Sequence, residues 1–267
     1  MSSPFVIVEP KGQSVPILLS VPHCGTSFPE EIACEYDQKM IKQPDDTDWF
    51  VHDLYNFASD MGITMIHAVY SRWVIDLNRD PESKPLYNDG RIITALCPTT
   101  DFFGKPIYAD NRKEVSKNEV ERRLENYYRP YHEKIGELLK NLKDEFGKVL
   151  LWECHSIRQH VPTIHKEKFP DLILGDADGT SASPGLIEAA LKGLESGDYE
   201  VKHNYPFKGG FITRNFGLPM ESQHALQLEM SKVMYMNDTE LEFDDTRADK
   251  MRKVLMHTFE NLIDGLN

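Results

Sequence analysis

The sequence predicts an α/β fold: one domain over residues 1–267, built on a mixed, mostly parallel sheet with helices on both faces. Three observations point there. Short apolar runs alternate with amphipathic helical stretches along the chain. The runs end in polar residues, as at Pro22-His23 and Glu153-Cys154-His155. A length of 267 residues, with 40% hydrophobic and 27% charged side chains, suits one large core better than two small ones.

The elements follow in order. Ile17 to Val21 reads as a buried strand. Phe50, Val51, Leu54, Tyr55 and Ala58 fall at helical spacing, predicting a helix from about Asp48 to Met61 that Gly62 terminates. Ile63 to Val69 and Trp73 to Leu77 are two further apolar runs with strand character. Residues 80–112, rich in Pro, Gly, Asp and Asn, read as a long ordered loop. A long amphipathic helix spans about Lys117 to Phe146, with Tyr127, Tyr131, Ile135, Leu138, Leu139 and Leu142 as its stripe and Gly147 just past its end. Lys148 to Cys154 is a short buried strand, and Pro184 to Leu194 a helix. Gln223 to Met230 is another strand, and a final helix covers about Asp245 to Leu262. In such sheets the active site lies beyond the carboxyl ends of the strands, where His23 and His155 would stand.

Composition narrows the partners. A net charge of −13 argues against nucleic acid and acidic membranes. No apolar run approaches the roughly 20 residues of a membrane helix. The opening MSSPFVIVEPKGQ lacks the layout of a signal peptide, and the four cysteines show no CxxC spacing, so a reducing cytoplasm is expected.

Metal-dependent hydrolases need imidazoles and carboxylates on the ion and a nearby carboxylate to move the proton. His23, the cluster Asp45-Asp46-Thr47-Asp48, His155 and Glu229 supply these types at separate places along the chain. Each has an ordinary reading too: a histidine at a strand end is often structural, and Asp46, Thr47 or Asp48 can N-cap the following helix. Arg72, Asn78 and Arg79 flank the run Trp73 to Leu77, and Arg214 lies in a Gly-Gly-Phe-Ile-Thr-Arg stretch. Arginine recognises carboxylates through paired hydrogen bonds, although any one of these could be a surface ion pair.

The strings VPHCG, DDTDWFVHDLY, YSRWVIDLNRDP, ECHSIR, DLILGDADGTS, PFKGGFITRNFG and HALQLEMSKVMYM occur in this order, with LCPTTDFFGKPIY in the long loop. Together they resemble the N-formylglutamate amidohydrolase family over about His23 to Met236. The family looks like a distant relative of the zinc carboxypeptidases and of succinylglutamate desuccinylase and aspartoacylase. The resemblance implies a zinc-carboxypeptidase-like fold and one Zn²⁺ per chain held by His23, Asp46 and His155. Carboxypeptidases take a glutamate three residues after the first histidine, but Thr26 stands there, so Asp46 is chosen and Asp48 is the alternative. Glu229 would be the general base. Asn78 and Arg79 would clamp a substrate carboxylate, with Arg214 supplying a further contact. Arg72 would polarise the carbonyl or take a second carboxylate. The implied reaction is hydrolysis of N-formyl-L-glutamate, a small carboxylate substrate, to formate and glutamate. A related deacylase on another N-acyl amino acid or short peptide is the alternative, and a non-catalytic metabolite-binding relative a more distant one.

Overall fold

Seven strands carry the architecture in a computed structural model that describes residues 3–82 and 95–266. In chain order the elements are β1 (Phe5–Val8), β2 (Ile17–Val21), α1 (Glu30–Ala33), α2 (Val51–Leu54), β3 (Thr64–Ala68), α3 (Lys117–Arg123) and α4 (Arg129–Phe146). They continue with β4 (Val149–Ile157), β5 (Leu172–Gly175), α5 (Pro184–Leu194), β6 (Val201–His203), α6 (Phe211–Phe216), β7 (Gln223–Ser231) and α7 (Asp245–Gly265). The sheet runs β1-β3-β2-β4-β7-β5-β6. Pairing is antiparallel at β1–β3 and β7–β5 and parallel elsewhere, the mixed and mostly parallel sheet that the sequence predicts.

Side-chain alternation along the strands sorts the core into two layers. Leu150, Trp152 and Cys154 of β4 and Leu226 and Leu228 of β7 face α5 and α7 in one apolar cluster. Val149, Leu151 and Ala225 face the opposite way, against Tyr131, Ile135 and Leu139 of α4. Helices therefore cover both faces, as central parallel strands require. The chain leaves β2 for β3 on one side and returns to β4 on the other. A crevice opens at such a reversal, beyond the strands' carboxyl ends.

Several expected elements differ. The helix expected over Asp48–Met61 is four residues of α2 followed by a 3₁₀ turn at Asn56–Met61. Arg252 of α7 donates to the carbonyls of Asp53 and Leu54, and Ala58 N–H bonds Tyr55 O instead of continuing the α pattern. Trp73–Leu77 is no strand but a buried turn: the carbonyls of Val74 and Leu77 accept from helix side chains, and that of Trp73 from the Tyr36 hydroxyl, with no strand ladder beside them. The long helix contains a π-helical segment at Leu124–Tyr128 between α3 and α4; its end matches, with Gly147 at φ 78. β1, β5 and β6, each four residues or fewer, lacked a sequence signal. Of the loop expected over 80–112, residues 83–94 lie outside the described residues. Its described parts hold only isolated bridges, Tyr36 with Tyr108 and Thr100 with Pro106.

Candidate active site

Three consecutive central strands bring the chemistry together. β2 ends two residues before His23, β4 carries Glu153 and His155, and β7 carries Gln227 and Glu229. Parallel pairing sets Glu153 beside Gln227 and His155 beside Glu229 on one face, above the apolar layer of α4. An uninterrupted buried strand would be apolar throughout. Here Glu153 and His155 of β4 and Gln227 and Glu229 of β7 put polar groups at alternate positions toward the carboxyl ends of both strands.

His23, Asp48 and His155, all buried, each offer a ligand atom within 4.8 Å of the others. Asp48 Oδ2 lies 3.0 Å from His155 Nδ1 and 3.8 Å from His23 Nδ1. Each ring's far nitrogen is held by a carboxylate. His23 Nε2 donates to Asp76 Oδ1 at 2.8 Å, and His155 Nε2 to Glu153 Oε1 at 2.6 Å. These bonds fix the tautomers and aim both Nδ1 atoms at Asp48, the arrangement that metal-binding histidines favour. Buried His23 Nδ1 has no hydrogen-bond partner among the described residues. An orphaned, sp² nitrogen acceptor beside a carboxylate and a second imidazole fits a metal ion.

The expected ligand Asp46 is engaged elsewhere. Its Oδ2 accepts the Trp73 indole N–H at 2.9 Å and its Oδ1 accepts Phe102 N–H at 3.0 Å, so it anchors the loop instead. Asp48, the alternative, stands in the cluster. Asp45 is fixed as well: its carboxylate pairs with Arg158, and its carbonyl accepts from buried Lys232 Nζ at 3.1 Å.

The two imidazoles are tuned oppositely. Burial lowers the pKa of His23 to about 4, nearby Arg72 helping and Asp76 opposing. Burial opposes charge on His155 too, but Glu153 and Asp48 outweigh it and hold the pKa up, at about 10. Without metal, His155 therefore carries a proton on each nitrogen, one directed at Glu153 and one at Asp48. Burial pushes the Glu229 carboxyl up, to about 8; Asp48 adds to this and His155 opposes it.

Two scaffolds hold these groups. Asp76, fully buried, accepts from His23, from Asn78 N–H at 2.9 Å and from Arg72 Nη2 at 2.6 Å, with Arg79 Nε 3.6 Å away. Burial disfavours its charge, but Arg72, His23 and Arg79 keep it ionised, well below the usual carboxylate range. Arg72 also lies over the Phe102 ring, 4.8 Å from its centroid. On the other side Glu153 Oε2 accepts both the backbone N–H (3.0 Å) and the hydroxyl of Thr213. Asn78 is not an open clamp: its Oδ1 accepts Ile212 N–H at 2.9 Å and its Nδ2 lies 3.0 Å from His155 Nε2. Gly210 is required beside it, since a Cβ there would lie 2.2 Å from Asn78 Nδ2. Arg214, half-buried on α6, donates Nε to Gly209 O at 3.1 Å.

Asp76, Glu153 and Thr213 were not singled out from the sequence. Glu153 had a legible signal, since it lies two residues before His155 and so on the same strand face. Asp76 and Thr213 had none, being brought in by the tertiary fold.

The family model described as N-formylglutamate amidohydrolase matches residues 15–236. The chain belongs to that family. N-formylglutamate deformylase of Pseudomonas putida is 41% identical over 228 residues, 85% of this chain and 84% of the relative. The enzyme of the same name from Pseudomonas aeruginosa is 38% identical over 256 residues, 93% of each chain. A crystal structure of N-formylglutamate amidohydrolase from Ralstonia eutropha JMP134 superposes with a TM-score of 0.84 at 27% identity, covering 99% of this chain and 98% of that one. A gene product of Agrobacterium tumefaciens, 17% identical with a TM-score of 0.71, covering 99% of this chain and 95% of that one, shares the fold. As a member of the N-formylglutamate amidohydrolase family, this protein is a hydrolase of an amide bond. Among the described residues no helix is long and apolar enough to cross a membrane.

Proposed function

We propose that this chain is a zinc-dependent deformylase that cleaves N-formyl-L-glutamate to formate and glutamate. The observation that carries this is the buried His23–Asp48–His155 group, both rings backed by carboxylates, with Glu229 beside His155 across the β4–β7 ladder. Two nitrogens and one carboxylate oxygen are a donor set suited to zinc. Bound there, the ion would polarise the formyl carbonyl and acidify water.

The protein's own residues do the rest. Glu229 takes a proton from water as the oxygen attacks the formyl carbon, then returns it to the amide nitrogen as the C–N bond breaks. A carboxyl whose affinity for protons is raised by burial suits this exchange. Arg72, buried and held by Asp76, stabilises negative charge developing on the carbonyl oxygen. Arg79 receives a substrate carboxylate, and Arg214 on α6 contributes a further contact to the anionic substrate.

The test is formate and glutamate release by purified protein from N-formyl-L-glutamate, before and after chelator treatment and with Zn²⁺ restored. Zinc-restored turnover is expected. Turnover of N-acetyl or N-succinyl amino acids in preference to the formyl compound would overturn the substrate, and full activity after chelation the metal. Arg79→Ala should raise KM for N-formylglutamate about tenfold or more, and leave KM for a neutral formyl amide nearly unchanged. An equal rise for both would remove the carboxylate role.

A further inference from the structure

We propose that Tyr128 and His132 are positioning residues: they hold the backbone of residues 76–79, and through it Arg79 and Asp76, in the geometry the reaction needs. The proposal rests on the reading above for Arg79.

In the 72–79 segment Arg72, Asp76 and Asn78 reach the site, Trp73, Val74, Ile75 and Leu77 pack into the core, and three carbonyls meet side chains of the long helix. Arg123 Nη1 donates to Val74 O at 2.9 Å, His132 Nε2 to Leu77 O at 2.8 Å and the Tyr128 hydroxyl to Arg79 O at 2.7 Å. No strand ladder supplies these bonds, and a buried carbonyl left without a donor is costly. Helix side chains thus replace the missing ladder. Leu77 lies between the two residues that touch the metal-facing rings, Asp76 on His23 and Asn78 on His155.

The π-helical segment makes this grip possible. In an uninterrupted α-helix, residues five apart point about 140° away from each other. The wider turn at Leu124–Tyr128 brings Arg123 and Tyr128 to the same side, and His132 follows one α-turn later. The Tyr128 and His132 rings stack at 4.1 Å, and His132 also stacks with Phe216 of α6 at 6.0 Å. The helix therefore touches both the 72–79 turn and α6, which holds Glu153. Burial lowers the pKa of His132 to about 4, so the ring stays neutral with Nε2–H as its donor.

Three variants test this: Tyr128→Phe, His132→Leu and His132→Gln, the last restoring an N–H donor. Tyr128→Phe should raise KM for N-formyl-L-glutamate about five- to tenfold, with kcat within about twofold and no change for a neutral formyl amide. His132→Leu should lower kcat, and His132→Gln should recover most of it. Hydrogen–deuterium exchange gives a readout independent of turnover: both Tyr128→Phe and His132→Leu should accelerate exchange at residues 74–79 and leave β4 protected. Equal KM changes for both substrates, failure of His132→Gln to rescue, or unchanged exchange at 74–79 would overturn the proposal. If the wild type does not cleave N-formylglutamate, the function proposed above fails, while the exchange data still decide the positioning role.

Discussion

His23 and His155 are the same side chain in opposite settings. His155 is part of a strand, backed by Glu153 two residues away on the same face, and that carboxylate is fixed by Thr213. His23 stands on a loop past β2, and its partner Asp76 arrives from a turn 53 residues away. The electrostatics follow. Burial, with help from Arg72, lowers the His23 pKa, whereas Glu153 and Asp48 outweigh burial and raise that of His155. In the proposed metal site one ring would be preset as a ligand, and the other holds a proton that the ion would have to displace.

Asp48 is shared by both halves, so the largest effects lie there and at the base. Asp48→Ala should abolish stoichiometric metal binding and turnover, while Asp46→Asn should keep metal and lose mainly stability; metal analysis and thermal melting separate the two. If Asp46→Asn is the variant that loses metal, the assignment reverses. Glu229→Gln should cut kcat by about 10² to 10⁴ with metal content unchanged. A base must be ionised to act, so wild-type kcat/KM should fall as pH drops, on a limb above the ordinary glutamate range because burial raises the Glu229 pKa.

Because His155 binds its proton tightly without metal, metal affinity should rise with pH through neutrality, with about one proton released; calorimetry in buffers of different ionisation enthalpy reads this directly. Glu153→Gln should lower the His155 pKa and flatten that slope, whereas Asp76→Asn should leave the slope intact. At high pH, where proton competition vanishes, each should weaken metal binding about 10- to 100-fold. Equal slopes for both variants would break the contrast. The smallest effect is expected at Thr213→Val, a several-fold loss in metal affinity that Thr213→Ser restores.

Much of the site was legible because the ordered strings carry it: His23, His155, Glu229, Arg72 and Arg79 were named from sequence, and the structure gathers His23, His155 and Arg72 around Asp48 and Asp76 and sets Glu229 beside His155. Asp46 against Asp48 was not legible, since both lie in one short acidic stretch and only the Trp73 indole and the Phe102 amide decide which is engaged elsewhere. The Trp73–Leu77 run looked like a strand because its hydrophobicity is real: Trp73, Val74, Ile75 and Leu77 are all buried. Its Trp73, Val74 and Leu77 carbonyls, however, bond side chains rather than a neighbouring strand.

The sheet's central strands and the long helix with its glycine end could be read from the chain, because periodicity and local caps act over a few residues; the site's residue types came from the ordered strings. It took the folded chain to show that Asp76 backs His23, that Asn78 is a tether rather than an open clamp, and that the two rings differ in charge. Those outcomes depend on burial and on charges brought together across more than fifty residues of chain, and no local pattern encodes them.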